Sequence, residues 1–330
     1  VTFFRFDRAF FFHLKNIHSA TTLIRKNSMN STSFTRRSFI QTSALAAAAI
    51  SRAPAAFAAD AAPKKREIKK AIMWGTVGVK GSILEKMKLV KAAGFEGVEP
   101  NSHMNQEEVI AAMKETGLKA ASVCCGTHWN LTLSHPSEET RAKGLAGLVQ
   151  SLRDAKAYGA TSVLLVPGVV NAGANYDQCF ERSVEQIKKA IPTAKECGVK
   201  IAIENVWNNF ITKPQQADDF LKAINSEWVG WHFDIGNVGR YSPAEEWIPV
   251  IAKRILKLHI KEYSTKLRDE KGPGAGFGVK FLEGTNNWPA IMAQLDKIGY
   301  TGWGIAEQGG GGSPEGLKDL ADRMDKIFAS

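Results

Sequence analysis

The sequence predicts a single (β/α)8 TIM barrel, and three observations carry that prediction. From residue 70 onward, short apolar runs alternate with amphipathic stretches, and the alternation repeats eight times over about 260 residues. Several amphipathic stretches close on a glycine just before the next apolar run, as at Gly94, Gly117, Gly159 and Gly198, which is a helix C-cap signal. The first apolar run leads into MWGTVGVKGS, which lacks the glycine-rich phosphate turn that a doubly wound open sheet would want there.

The eight strands are read in order as KKAIMWGT (69–76), FEGVEP (95–100), LKAASVCC (118–125), TSVLLVP (161–167), VKIAIEN (199–205), VGWHFDIGN (229–237), ILKLHIKE (255–262) and WGIAEQ (303–308). Helical stretches such as SILEKMKLVKAAG (82–94), NQEEVIAAMKETG (105–117) and QCFERSVEQIKKAIPTAKECG (178–198) lie between them. The four cysteines suggest no disulfide framework, since Cys124 and Cys125 are neighbours on one strand and Cys179 and Cys197 share a helical stretch.

In such a barrel, functional residues gather at the C-terminal ends of the strands. The last four strands end on Glu204, Asp234, His259 and Glu307. A carboxylate at the tip of an apolar strand is costly unless something pairs with it. Three carboxylates and one imidazole delivered to one rim suit a single divalent ion such as Mn2+, Mg2+ or Co2+.

The N-terminus reads as an address rather than as fold. TRRSFIQTSALAAAAI, from Thr35, has paired arginines and then an alanine-rich apolar run, and AFA follows at 56–58. Arg36 and Arg37 resemble a twin-arginine export signal. The expected organisation is an over-extended gene start (1–28), a twin-arginine signal peptide (29–58), a lysine-rich linker (59–69) and the barrel (70–330). The precursor would meet the twin-arginine export machinery, and the mature chain would be periplasmic or secreted. The apolar run is too short, and too soon interrupted by Arg52 and Pro54, for a stable membrane span.

The net charge of +10 belongs to this leader and linker, because residues 71–330 carry 30 basic and 30 acidic side chains. A neutral barrel gives no support for a nucleic-acid partner. Its oligomeric state is open, a homo-oligomer being compatible with the sequence.

IAIENVW, HFDIGN, LHIKEY and GIAEQ resemble the xylose-isomerase-like TIM barrels of the sugar isomerase/epimerase superfamily, over roughly Lys70 to Phe328. ASVCCGTHWNLTLSHPSEETR and FLEGTNNWPAIM are similar to L-ribulose-5-phosphate 3-epimerase-type members, with Leu282 in place of the first glycine of a Gly-Glu-Gly segment. The resemblance implies that Glu204, Asp234, His259 and Glu307 are metal ligands. It also implies that Glu204 and Glu307 form the acid/base pair acting on a small sugar substrate. D-tagatose 3-epimerase-type members carry a histidine and an arginine where this chain has Asn237 and Thr265, which sets it apart from free-ketohexose epimerases of that type.

Around these ligands, His128, Lys261, Glu99, Asn237 and Trp207 are candidate substrate contacts, with Trp129 as a second face of a sugar-stacking wall. Each has a plainer reading. Lys261 could pair with Glu262, Asn237 could serve a turn, and the tryptophans could pack the rim. His232 shares the strand face of Asp234 one layer deeper and is read as a core or supporting residue. EQGGGGSPEG after the last strand reads as a loop rather than as a phosphate cradle. Export favours a non-phosphorylated ketose or keto-sugar derivative. Two other classes stand beside the enzyme reading. The superfamily's abasic-site endonucleases want more histidines than the five found after the leader, together with a basic face. A non-catalytic sugar-binding barrel would bind without exchanging carbon-bound hydrogen. Hydroxypyruvate isomerase and inosose dehydratase relatives share the same tetrad.

Overall fold

The structure is a computed structural model that describes residues 65–330. The twin arginines, the cleavage region and most of the linker lie outside the described residues. Among the described residues, no helix is long and apolar enough to cross a membrane.

Nine parallel strands form one curled sheet: β1 (Ile68–Met73), β2 (Gly97–Glu99), β3 (Lys119–Ala120), β4 (Val123–Cys124), β5 (Ser162–Leu165), β6 (Lys200–Glu204), β7 (Val229–Asp234), β8 (Ile255–Ile260) and β9 (Gly302–Ala306). Their order around the sheet is β3-β2-β1-β9-β8-β7-β6-β5-β4. The expected third strand is therefore one stave broken in two. Its first half pairs with β2 and its second half with β5. A bridge between Asn101 and Cys124 draws the two ends of the sheet together, backed by Cys124 N–H donating to Pro100 O at 2.9 Å. The barrel is thus eight staves, as the alternation predicts, nearly closed through the broken one.

The helices follow the expected grammar. They are α1 (Ile83–Ala92), α2 (Gln106–Thr116), α3 (Glu138–Tyr158), α4 (Tyr176–Cys197), α5 (Pro214–Ile224), α6 (Ile235–Gly239), α7 (Ala244–Ile251), α8 (Thr265–Lys271), α9 (Trp288–Lys297) and α10 (Pro314–Ala329). Ser82 and Glu85 form a reciprocal capping box at the start of α1, satisfying two otherwise orphaned backbone donors. At the other ends, the predicted glycines Gly117, Gly159 and Gly198 cap α2, α3 and α4 with φ of 71, 73 and 68°. In that left-handed region a Cβ is penalised, so the chain turns cheaply only through glycine.

Strand alternation decides what enters the barrel. On β7, Trp231 and Phe233 pack into the core under the helices, while His232 and Asp234 take the opposite face. On β8, Leu258 and Ile260 face the same core, and Lys257 and His259 alternate with them. Each fully buried apolar side chain of this kind contributes about 1.5–3 kcal/mol. This outer apolar shell offsets the cost of the polar groups held inside. The four cysteines are free, and three of them are buried packing residues.

Candidate metal centre and active site

Glu204 and Asp234 close β6 and β7, His259 is the penultimate residue of β8, and Glu307 follows β9 directly. In register, Asp234 lies opposite His259 on the neighbouring strand. The four side chains meet around one imidazole. His259 Nδ1 lies 2.9 Å from Glu204 Oε1, 2.8 Å from Glu307 Oε2 and 3.8 Å from Asp234 Oδ2. One donor atom from each residue falls within 4.8 Å of all the others. Three carboxylate oxygens and one nitrogen at that spacing fit one hard divalent cation, and Glu307 Oε2 is a buried oxygen that faces the His259 nitrogen inside the cluster.

Accessibility grades the ligands. Asp234 and His259 side chains are 0 % exposed, Glu204 7 % and Glu307 22 %, so the centre opens to solvent on the Glu204–Glu307 side. Asp234 is fixed from below. Its Oδ1 caps α6 by accepting from Asn237 N–H at 2.7 Å, and Asn205 Nδ2 donates to its backbone oxygen at 3.0 Å. Asn205 in turn accepts from the Trp231 indole at 2.8 Å, which ties the apolar core to the ligand.

Lys261 supplies the cation that the acidic cluster needs. Its Nζ lies 2.9 Å from Glu307 Oε1, 3.4 Å from Asp234 Oδ2 and 3.3 Å from Asn237 Oδ1. Burial works against its charge, but Asp234 and Glu307 overcome that and push its pKa up. The same balance runs in reverse at Glu307, where burial raises the carboxyl and Lys261 with His259 holds it well below the usual range. Glu204 goes the other way, since burial raises it more than His259 lowers it.

The structure places the remaining candidates differently. His128 is buried, and its Nδ1 accepts from Val166 N–H at 3.2 Å, which leaves the proton on Nε2. Burial pushes its pKa down to about 3, so the ring is a neutral donor. Trp129 and Trp207 are 48 % and 45 % exposed, and their rings lie 6.4 Å apart, with His128 edge-on to Trp129. Glu99 lies beneath His259, 2.9 Å from Nε2, on the far edge of the ring from Glu204 and Glu307. Asn237 is committed to Asp234, Lys261 and Asn205. Glu99 and Asn237 therefore stand as supports of the cluster rather than as free contacts for a ligand.

Lys261 does not pair with Glu262. That carboxylate is buried on another side, accepting from Trp288 Nε1 at 2.7 Å and from the Leu282 and Asn286 amides. The glycine run packs as a loop against the connection after β1, with Gly78 N–H donating to Gly311 O at 2.8 Å. Sequence reasoning missed Asn205 altogether. Its place directly after Glu204 was the available signal, since an amide there can bridge to the next strand.

A parallel barrel with three carboxylates and an imidazole converging at its C-terminal mouth defines a TIM-barrel protein with a candidate divalent-ion site. The chain belongs to the xylose isomerase-like TIM barrel family, whose profile matches residues 87–327. Among curated proteins it is similar to L-ribulose-5-phosphate 3-epimerase of Salmonella paratyphi C, 24 % identical over 66 % of this chain and 79 % of that protein. Among solved structures it superposes on 3-keto-D-glucoside 4-epimerase from E. coli, with a TM-score of 0.68 at 18 % identity, covering 80 % of this chain and all of the other (100 %). D-psicose 3-epimerase from Clostridium cellulolyticum gives a TM-score of 0.64 at 18 % identity, over 79 % of this chain and 98 % of that one. These homologues and structural neighbours are sugar epimerases, enzymes of the isomerase class.

Proposed function

We propose that this chain is a divalent-ion-dependent sugar isomerase or epimerase that moves a proton on a carbon next to a carbonyl. The observation that carries this reading is the convergence of Glu204 and Glu307 on one point, 2.9 and 2.8 Å from the same His259 nitrogen. Glu204, Asp234, His259 and Glu307 would hold the ion. An ion held there would supply polarisation of the carbonyl and compensation of the charge that grows on its oxygen.

The protein's own residues do the proton work. Glu204 and Glu307 come from staves separated by β7 and β8, so they approach a sugar from different sides. One carboxylate removes the proton, giving an enediolate, and the other returns one. Return to the opposite face of the same carbon is epimerisation, and return to the neighbouring carbon is isomerisation. The Lys261 ammonium stands beside Glu307 and offsets developing negative charge. His128 presents its Nε2–H to a sugar oxygen, and Trp207 with Trp129 offers apolar faces to the ring.

The substrate class that fits best is a non-phosphorylated ketose or keto-sugar derivative. The twin-arginine pattern at Arg36-Arg37 supports it, because an exported enzyme works where sugar phosphates are scarce. The 3-keto-glucoside epimerase among the structural neighbours supports a keto-sugar. On this reading residues 29–58 are an export signal, and the mature enzyme is periplasmic or secreted.

The test is hydrogen exchange. The ion-loaded protein, incubated in D2O with free ketoses, keto-glycosides and sugar phosphates, should place deuterium next to a carbonyl of at least one of them. Glu204→Gln and Glu307→Gln keep the size and remove the base, so turnover should fall by roughly a hundredfold to ten-thousandfold. Binding of a sugar with no exchange across the whole panel would put the non-catalytic barrel in its place.

A further inference from the structure

Beneath the ligand cluster lies a second polar group, Glu99, His232 and His259, with every side chain 0 % exposed. A carboxylate buried this deeply is expensive unless a partner holds it. Glu99 Oε2 has one, His259 Nε2 at 2.9 Å, whereas Oε1 has no hydrogen-bond partner and lies 3.9 Å from His232 Nε2. The one hydrogen-bonded end of this carboxylate, among the described residues, is therefore spent on the back of a single imidazole. Glu99 belongs to β2 and His259 to β8, 160 residues later, so only closure of the barrel brings them together.

The two edges of the His259 ring face opposite demands. Nδ1 looks at Glu204, Glu307 and Asp234, where an ion needs a lone pair. Nε2 looks at Glu99. An imidazole that gives its Nδ1 lone pair to a cation must carry its proton on Nε2, and a carboxylate there accepts that proton's hydrogen bond and raises the ring's donor strength. The His232 ring adds a steric stop. The two rings pack in a T-shaped arrangement, with centroids 4.2 Å apart at 68°, so Glu99 holds the imidazole at Nε2 while His232 crowds it.

We infer that Glu99 is a positioning residue, which fixes the Nε2–H tautomer and ring plane of His259 so that Nδ1 can serve as an ion ligand. The inference rests on the metal reading above. It gives Glu99 a role away from the substrate. It also excludes the Glu99–His232–His259 group as a second ion site, because His259 would then have to bind cations through both nitrogens with no proton left.

The experiment compares the wild-type chain with Glu99→Leu, Glu99→Gln and His232→Phe. Calorimetry with Mn2+ gives affinity and stoichiometry, and 15N-histidine NMR of the Zn2+-loaded protein reports the His259 ring protons. The wild type should bind about one ion per chain and show a slowly exchanging, strongly downfield Nε2–H. Glu99→Leu should bind about 10- to 100-fold more weakly, with that signal shifted upfield or lost. Glu99→Gln keeps an acceptor oxygen without the charge. It should retain the Nε2–H signal with a smaller, several-fold loss of affinity, and it decides the matter if the leucine variant fails to fold. Unchanged affinity together with an unchanged Nε2–H signal in these variants overturns the inference while leaving the metal reading intact. So does a stoichiometry of two ions that falls to one in His232→Phe. A wild-type chain that takes up neither Mn2+ nor Zn2+ brings down the metal reading and this inference together.

Discussion

The two halves of the barrel are built to different standards. From β6 to β9 the strands run five or six residues and pair in parallel, with one register shift between β7 and β8 at Trp231/His232. From β2 to β4 they run three, two and two residues, and one stave is broken. All four candidate ligands come from the long-stranded half. The other half contributes His128 and Trp129 from the loop after the broken stave, and one buried support, Glu99, from the tip of β2. Ion ligands must be held to fractions of an ångström, and extended strands with buried faces provide that. A mouth that grips a sugar tolerates looser construction, and loops are where such contacts usually sit.

If this division is right, damage to the long-stranded half should hit the chemistry hardest. Asp234→Ala and His259→Ala each remove one of four ligands while leaving the apolar shell of Trp231, Phe233, Leu258 and Ile260 in place. Elemental analysis of purified protein should fall from about one divalent ion per chain to well below that, with the far-UV spectrum kept. Exchange in D2O should drop to background, as it should for wild type stripped with strong chelator and recover on adding Mn2+ or Co2+. Full activity in a chelated or ligand-deleted protein would remove the ion from the mechanism.

The same division explains what the sequence disclosed. Glu204, Asp234, His259 and Glu307 were legible because each ends an apolar strand, and a period of two plus a parallel barrel puts strand ends on one rim. The helices and their glycine caps were legible for the same local reason. The broken stave was not, because LKAASVCC reads as one apolar run, and its division depends on which neighbour each half meets. Lys261, Glu99 and Asn237 were legible as residues of interest but not as partners. Glu99 meets His259 from a distant strand and Lys261 meets Glu307 across neighbouring staves, so no local pattern encodes those two contacts, whereas the Asn237 amide reaches Asp234 through a three-residue helix cap that the sequence reading overlooked. Leu282 was noticed only as a departure from a resembling glycine, and its backbone shows what that departure costs.

A smaller effect is expected at the mouth. Trp207 stands three residues after Glu204, 45 % exposed and beside Trp129, so removing it disturbs little of the core. An aromatic face against an apolar partner contributes about 0.5–1.5 kcal/mol beyond its area. Trp207→Ala should therefore raise KM by roughly two- to tenfold with kcat nearly unchanged, measured on whichever sugar exchanges. An equal fall in kcat would move Trp207 from gripping the sugar to shaping its reaction, and would blur the contrast between the ligand-bearing strands and the loops at the mouth.

The smallest effect tests whether the well-built half carries strain in its own connections. Leu282, in the segment between β8 and α9, sits at φ 68° and is 40 % exposed. That conformation turns its amide to donate to the buried Glu262 carboxylate at 2.8 Å, so the backbone is held there by a group that cannot be left unpaired. A left-handed non-glycine residue costs roughly 1–2 kcal/mol, and a glycine loses roughly 0.5–1 kcal/mol through its freer unfolded chain. The difference favours glycine, because the exposed leucine side chain has little burial to lose. Leu282→Gly should raise stability by up to about 1 kcal/mol, read as a higher denaturant midpoint with an unchanged slope. Ion binding should stay as in the wild type, because Glu262 is not among the groups around His259. A lower midpoint would mean that the leucine packs against the rim strongly enough to outweigh its strain, and that a specificity contact has been overlooked at the mouth.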